Sequence, residues 1–105
     1  MRHINVLEQA NEIANKRSEE KERQYGPMLE THKRTAEICS LLCRKEITTK
    51  DVYMMKIAMK LAREAYSHKT DNLVDLCAYI SGLQEYWEAE ELANEYIEEQ
   101  KHKTE

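Results

Sequence analysis

Phenylalanine is absent from this 105-residue chain, and only two glycines and one proline interrupt it. So few breakers leave long uninterrupted segments, which favours a few long helices over many short strands. No apolar run approaches the ~20 residues that a bilayer-spanning helix needs. The opening "MRHINVLEQANEIANK" lacks a signal-peptide core, so a cytoplasmic protein, with no membrane partner, is expected. Glycine-rich phosphate loops are missing, and no Ser or Cys stands in a recognisable elbow, which leaves nucleophilic catalysis little support. Cysteine is scarce: Cys39, Cys43 and Cys77 make an odd set without framework spacing, as expected of reduced thiols. Cys39 and Cys43 lie one helical turn apart, but no paired Cys or His completes a ligand set. All three are therefore expected as buried core thiols, with no metal or cofactor.

What is present is a balance of 41% hydrophobic and 34% charged residues, typical of a soluble helical protein rather than a disordered one. One domain is expected, small enough that self-association would help stabilise it. The net charge of −4 hides an asymmetry. From Thr31 to Lys69 there are nine Lys or Arg against four Asp or Glu, and from Gln84 to Glu99 seven glutamates and no base. Such segregation gives an anion-attracting middle and an acidic arm, or simply ordinary solvated helix faces. Duplex nucleic-acid binding is disfavoured in an acidic chain without a recognisable motif.

Four helices can be placed. The first is expected over about 5–24, with Ile4, Val6, Leu7, Ala10, Ile13 and Ala14 as its apolar stripe. "YGP" breaks it: Gly26 suits a helix C-terminus, and Pro27 the first position of the next helix. That second helix, about 28–44, carries apolar Leu29, Ala36, Ile38, Cys39, Leu41, Leu42 and Cys43. In "ITTKDV", Thr48 is a natural N-cap, Asp51 sits where it can bond back, and Ile47 and Val52 occupy the staple positions. The third helix then runs to about 66, burying some combination of Met54, Met55, Ile57, Ala58, Leu61, Ala62 and Ala65. "SHKT" turns into a fourth helix that starts at Thr70 or Asp71 and passes Ile97, a length of about 40 Å. Leu73, Leu76, Cys77, Ile80 and Leu83 are expected in the core (about 5–83). Tyr86, Trp87, Leu92, Tyr96 and Ile97 continue an apolar stripe along the acidic arm (about 84–100). A stripe that outruns its own bundle needs a partner, and the natural one is another copy. The expected architecture is an all-α bundle of about four helices with a long C-terminal helix, forming a homo-oligomer such as a tetramer.

Three constellations could carry chemistry. Lys56, Lys60 and Arg63, spaced four and three apart, share a helix face that can hold phosphates, or form a solvated basic stripe. Asp71 and Asp75 are one turn apart in "HKTDNLVDLCAY". Asp71 can simply stabilise the helix start and Asp75 pair with Lys60 or Arg63. Asp75 nevertheless falls among Leu73, Leu76 and Cys77, where a carboxylate requires partners. Tyr25 and His32, with Tyr66, His68 and Tyr79 near the last turn, are packing residues or stacking faces for a base beside the cations.

"YGPMLETH", "ITTKDVYMMKIAMKLAR" and "HKTDNLVDLCAY", in that order, resemble a family of small helical proteins encoded by phages and prophages. Those proteins carry a Tyr-Gly after the first helix, a Lys-x-x-Arg on the third and an Asp-Asn-x-x-Asp-like opening on the fourth; the match covers about residues 20–82. The family is in turn similar to phage anti-CBASS nucleotide sponges, which bind cyclic dinucleotide signals such as 3′,3′-cGAMP in helical oligomers without cleaving them. That resemblance implies a non-catalytic immune-evasion protein in the host cytoplasm. Lys56, Lys60, Arg63 and Lys69 would neutralise phosphates; Tyr25, His32, His68 or Tyr79 would stack on bases; and Asp71, Asn72 and Asp75 would address base edges. The layout also resembles the all-α, MazG-type nucleotide pyrophosphohydrolases, which hold magnesium with E-x-x-E and E-x-x-D pairs. Here Glu30 and Glu37 form no such pair, Glu19 and Glu22 lie at the end of the first helix, and the fourth helix opens D-x-x-x-D. Two-metal chemistry needs at least three or four convergent carboxylates, and only Asp71 and Asp75 are clear candidates. A helical protein-interaction module using the acidic arm is the third alternative.

Overall fold

The computed structural model describes residues 5–15 and 27–104. Among them the chain is all-α, with four helices: α1 (Val6–Asn15), α2 (Met28–Cys43), α3 (Thr49–Tyr66) and α4 (Thr70–Thr104). The second half of the expected first helix, with Tyr25 and Gly26, lies outside the described residues. No helix among the described residues is long and apolar enough to cross a membrane.

Local chemistry sets the helix ends. Asn5 accepts the Glu8 N–H at 3.0 Å and so caps α1. Pro27 stands one position earlier than expected: it is the extended N-cap of α2, not its first helical residue. Its carbonyl accepts the Thr31 N–H. Thr48 and Asp51 form the expected capping box, with N–H···O distances of 2.9 and 3.1 Å. That exchange holds the Asp51 carboxyl below its usual range, through the Thr48 backbone bond first and the Thr48 hydroxyl second. α2 ends on Arg44 in the left-handed region, φ 55°, where a side chain is uncommon. The turn is latched by Ser40, whose Oγ accepts the Ile47 N–H at 2.9 Å and donates to the Ala36 carbonyl at 2.8 Å.

α4 is the spine, with α1 and α3 packed on its first half and α2 packed mainly on α3. Ala10, Val74 and Ala78 are buried between α1 and α4, with Val6, Ile13 and Cys77 against them. On the other flank Tyr53 is fully buried beside Gly82. A Cβ at position 82 would lie 2.7 Å from the Tyr53 ring, so glycine is what admits the ring there. From residue 87 to 103 every residue of α4 is exposed, so the arm leaves the bundle.

Several core expectations are corrected. Met54, Met55 and Leu61 are about half exposed, and Ala58, Ala62 and Ala65 are also exposed, whereas Val52 and Tyr53 are buried. α3 carries apolar residues on two sides, and periodicity cannot say which side meets α4; the Tyr53–Gly82 fit does. On α2, Ile38, Leu41 and Leu42 are exposed and Ala36 is buried. On α4, Val74 and Ala78 take the core positions, while Leu73, Leu76, Cys77 and Leu83 are partly buried and Ile80 is exposed. Cys43 is exposed and Cys39 and Cys77 are partly buried, so none is a fully buried core thiol.

Candidate functional site: a cationic groove at the last interhelical turn

The α3–α4 turn is organised by Glu64, a residue the sequence reading passed over. Its carboxylate accepts the Lys69 backbone N–H at 3.1 Å, the Asn72 side-chain amide at 3.2 Å, and a bond from His68 Nδ1. The His68 bond is the largest of the influences that hold Glu64 below the usual glutamate range, with Lys69 and Asn72 adding to it against partial desolvation. The i,i+4 spacing of Glu64 and His68 was the available signal. Its second role, tying down the first turn of α4, depends on how sharply the chain reverses after Tyr66.

This turn frames an open groove of about 820 Å³. Lys60, Arg63, Lys69, Asp71 and Asn72, all candidates from the sequence, line it together with Met59, Ala62 and Tyr66. Among the described residues neither Arg63 nor Lys69 makes an ion pair with a carboxylate. Lys60 does: its Nζ lies 2.7 Å from Asp75 Oδ2 across the α3–α4 interface. Asp75 therefore stands behind the groove as the counter-ion of Lys60 and does not line it. Asn72 is nearly buried, 6% exposed, with its amide turned to Glu64. Tyr66, 93% exposed, presents an uncovered ring at the rim.

The remaining candidates lie elsewhere. His32 is 3% exposed, bonded through Nδ1 to the Met28 carbonyl at 2.7 Å and stacked on Tyr53 at 4.2 Å. Its expected role as a base-stacking face is corrected: the ring is spent on packing α2 against α3. Tyr79 is partly buried 6.1 Å from His32, and the Lys56 ammonium lies 5.5 Å over its ring. Burial raises the Tyr79 phenol, and Asp75 adds to that against Lys60 and Arg63. Lys56 and Tyr79 are thus engaged with each other away from the groove. His68 is exposed but held by Glu64 and does not line the groove. Tyr25 lies outside the described residues.

A second groove, of about 650 Å³, runs between α2 and the arm, with Lys33 opposed by Glu37 and Glu90. Its one lysine faces two glutamates, so it does not concentrate positive potential as the first does. Among the described residues no group of three or more His, Cys, Asp or Glu is placed to hold a metal ion. Glu19 and Glu22 lie outside those residues. What the first groove can do chemically is receive an anion, with Arg63 as a fork, Lys69 as a mobile point charge and Tyr66 as a flat apolar face.

No curated protein and no solved structure matches this chain significantly. A family model does match, over residues 5–86, which takes in all of α1, α2 and α3 and the bundled half of α4. The chain belongs to the family described as Domain of unknown function (DUF6378).

Proposed function

We propose that this chain is a non-catalytic nucleotide binder, a phage-encoded sponge that sequesters a cyclic dinucleotide defence signal such as 3′,3′-cGAMP in the bacterial cytoplasm without cleaving it. The groove at the α3–α4 turn is the observation that supports this. Its size falls in the range of small-molecule sites. Two cations without carboxylate partners among the described residues, Arg63 and Lys69, stand in it, as the two phosphodiesters of a cyclic dinucleotide require. Tyr66 supplies a stacking face, worth about 1–3 kcal/mol per base in other systems. Asp71, exposed at the start of α4, is a hydrogen-bond acceptor for the adjacent N–H groups of a guanine edge. Lys60 contributes less than the spacing of the basic residues suggests, because Asp75 already balances its charge.

The test is to incubate the protein with linear and cyclic nucleotides plus magnesium, follow the thermal shift, then denature it and chromatograph the nucleotide. A large shift with a cyclic dinucleotide recovered intact supports the sponge. Recovery of cleaved nucleotide sinks it and promotes the pyrophosphohydrolase. An absence of shift with every nucleotide leaves the protein-interaction module.

A further inference from the structure

α3 is amphipathic in an unusual sense. Four of its charged residues, Lys56, Lys60, Arg63 and Glu64, lie on the half towards α4 or the groove, and Lys50 and Asp51 stand in its first turn. Its outward half is Met54, Met55, Ala58, Met59, Leu61, Ala62 and Ala65, seven apolar residues, all exposed, of which Met59 and Ala62 border the groove. Positions 54, 58, 61 and 65 form one column on the helix and 55, 59 and 62 the next, so the face is continuous. A soluble helix ordinarily turns its apolar face to the core. This one must be covered by something outside its own bundle.

The arm of α4 carries a matching stripe. Ala89, Leu92, Ala93 and Tyr96 share the helix face that Val74, Ala78 and Gly82 use to pack on the bundle, but the arm residues are exposed because the bundle ends. Glu88, Glu90 and Glu99 flank that stripe, and Glu85, three after Gly82 and four before Ala89, stands at its bundle end. The arm cannot reach α3's outward face in its own chain, because α4 is one continuous helix packed on the opposite, Tyr53 side of α3.

We infer that the arm of a second copy docks along the outward face of α3. Length and charge both select this occupant. α3 has 18 residues and spans about 27 Å; the arm from 85 to 104 spans about 30 Å. From Met28 to Tyr66, the segment holding α2 and α3, there are eight bases against five acids, with Lys45 exposed just before α3 and Lys50 exposed in its first turn, and the arm has seven glutamates and no base up to Glu99. An apolar stripe bordered by glutamate thus meets an apolar face that has Lys50 exposed at its N-terminal end and belongs to a segment of net positive charge, which favours arm-on-α3 over arm-on-arm or α3-on-α3 pairing.

Sedimentation of the full chain without nucleotide tests this, so failure here is separate from failure of the ligand reading. The expected mass is twice the 12.5 kDa of one chain, with dissociation promoted by salt. Met59→Glu and Leu92→Asp should each raise the dissociation constant at least about 30-fold with helicity retained, as loss of a central anchor does. A photoreactive residue introduced as Met55→benzoylphenylalanine should capture residues 85–104 of another copy; this readout stands even if a charged variant loses helicity. A monomer at every concentration, an assembly insensitive to both substitutions, or capture confined to another surface would overturn the inference.

Discussion

Lys60 and Asp75 join the two helices that build the groove: Nζ and Oδ2 are 2.7 Å apart, the lysine mostly covered and the aspartate about one-third exposed. An ion pair so placed is worth more than a fully exposed one, because water screens it less. A double-mutant cycle with Lys60→Met and Asp75→Asn, followed by urea unfolding, should return a coupling of about 1 kcal/mol. A coupling indistinguishable from zero would mean that the pair does not hold α3 to α4.

Arg63 and Lys69 carry the ligand reading, since the charge of Lys60 is already balanced. Arg63→Ala should weaken binding of a cyclic dinucleotide by at least about tenfold in calorimetric titration, the loss of one charge-assisted contact. Asp75→Asn should leave binding within a few-fold, because Asp75 stands behind the groove. If Asp75→Asn removes binding and Arg63→Ala does not, the groove has been assigned to the wrong residues.

Glu64 gives the turn a pH dependence. Its folded carboxyl loses its proton more readily than in the unfolded chain, where the ordinary value is 4.5. Its contribution is therefore complete above that value and is lost as pH falls through the lower folded one. Glu64→Gln should be less stable than the parent at pH 7, and the gap between them should close on acidification below pH 4. A gap that stays constant from pH 7 to pH 3 would remove Glu64 as the organiser of the turn.

Tyr53 titrates at the other end of the scale. Burial, with Glu85 adding to it, pushes its phenol to about 12, and its buried hydroxyl has no hydrogen-bond partner among the described residues. Between about pH 10 and 12 the unfolded chain gives up this proton while the folded one keeps it, so stability falls as pH rises through that window. Tyr53→Phe should remove that part of the alkaline loss and raise stability at neutral pH by about 1 kcal/mol, by relieving an unsatisfied polar group. Thermal melts at pH 7 and pH 10.5 measure both effects.

Gly82 reports on the same contact from α4. Alanine is favoured over glycine in a helix by about 1 kcal/mol, but here its Cβ would press on the Tyr53 ring. Gly82→Ala should therefore destabilise the protein, by about 1–2 kcal/mol in denaturant unfolding. Stabilisation instead would show that the Tyr53 ring can move aside.

Legibility in the sequence followed the range of the interactions. The all-α class, the Thr48–Asp51 box, the start of α4 at Thr70 and its length beyond Ile97 depend on neighbours within a turn or on the shortage of Gly and Pro, and these were readable. So was the set Lys60, Arg63, Lys69, Asp71 and Asn72, because the helices on either side of a three-residue turn must bring their adjoining ends together. Which side of an apolar helix faces inward is a different kind of question. Met54 and Tyr53 are adjacent and both apolar, and only a gap opposite, at Gly82, makes Tyr53 the buried one. The same packing took His32 into the interior, partly covered Tyr79, gave Asp75 to Lys60, and left the methionine face of α3 outside. Local chemistry determined the helices and the residues gathered at their last turn. Tertiary packing alone decided which of those residues stay exposed to meet something else, because burial depends on shape complementarity between segments far apart in the chain.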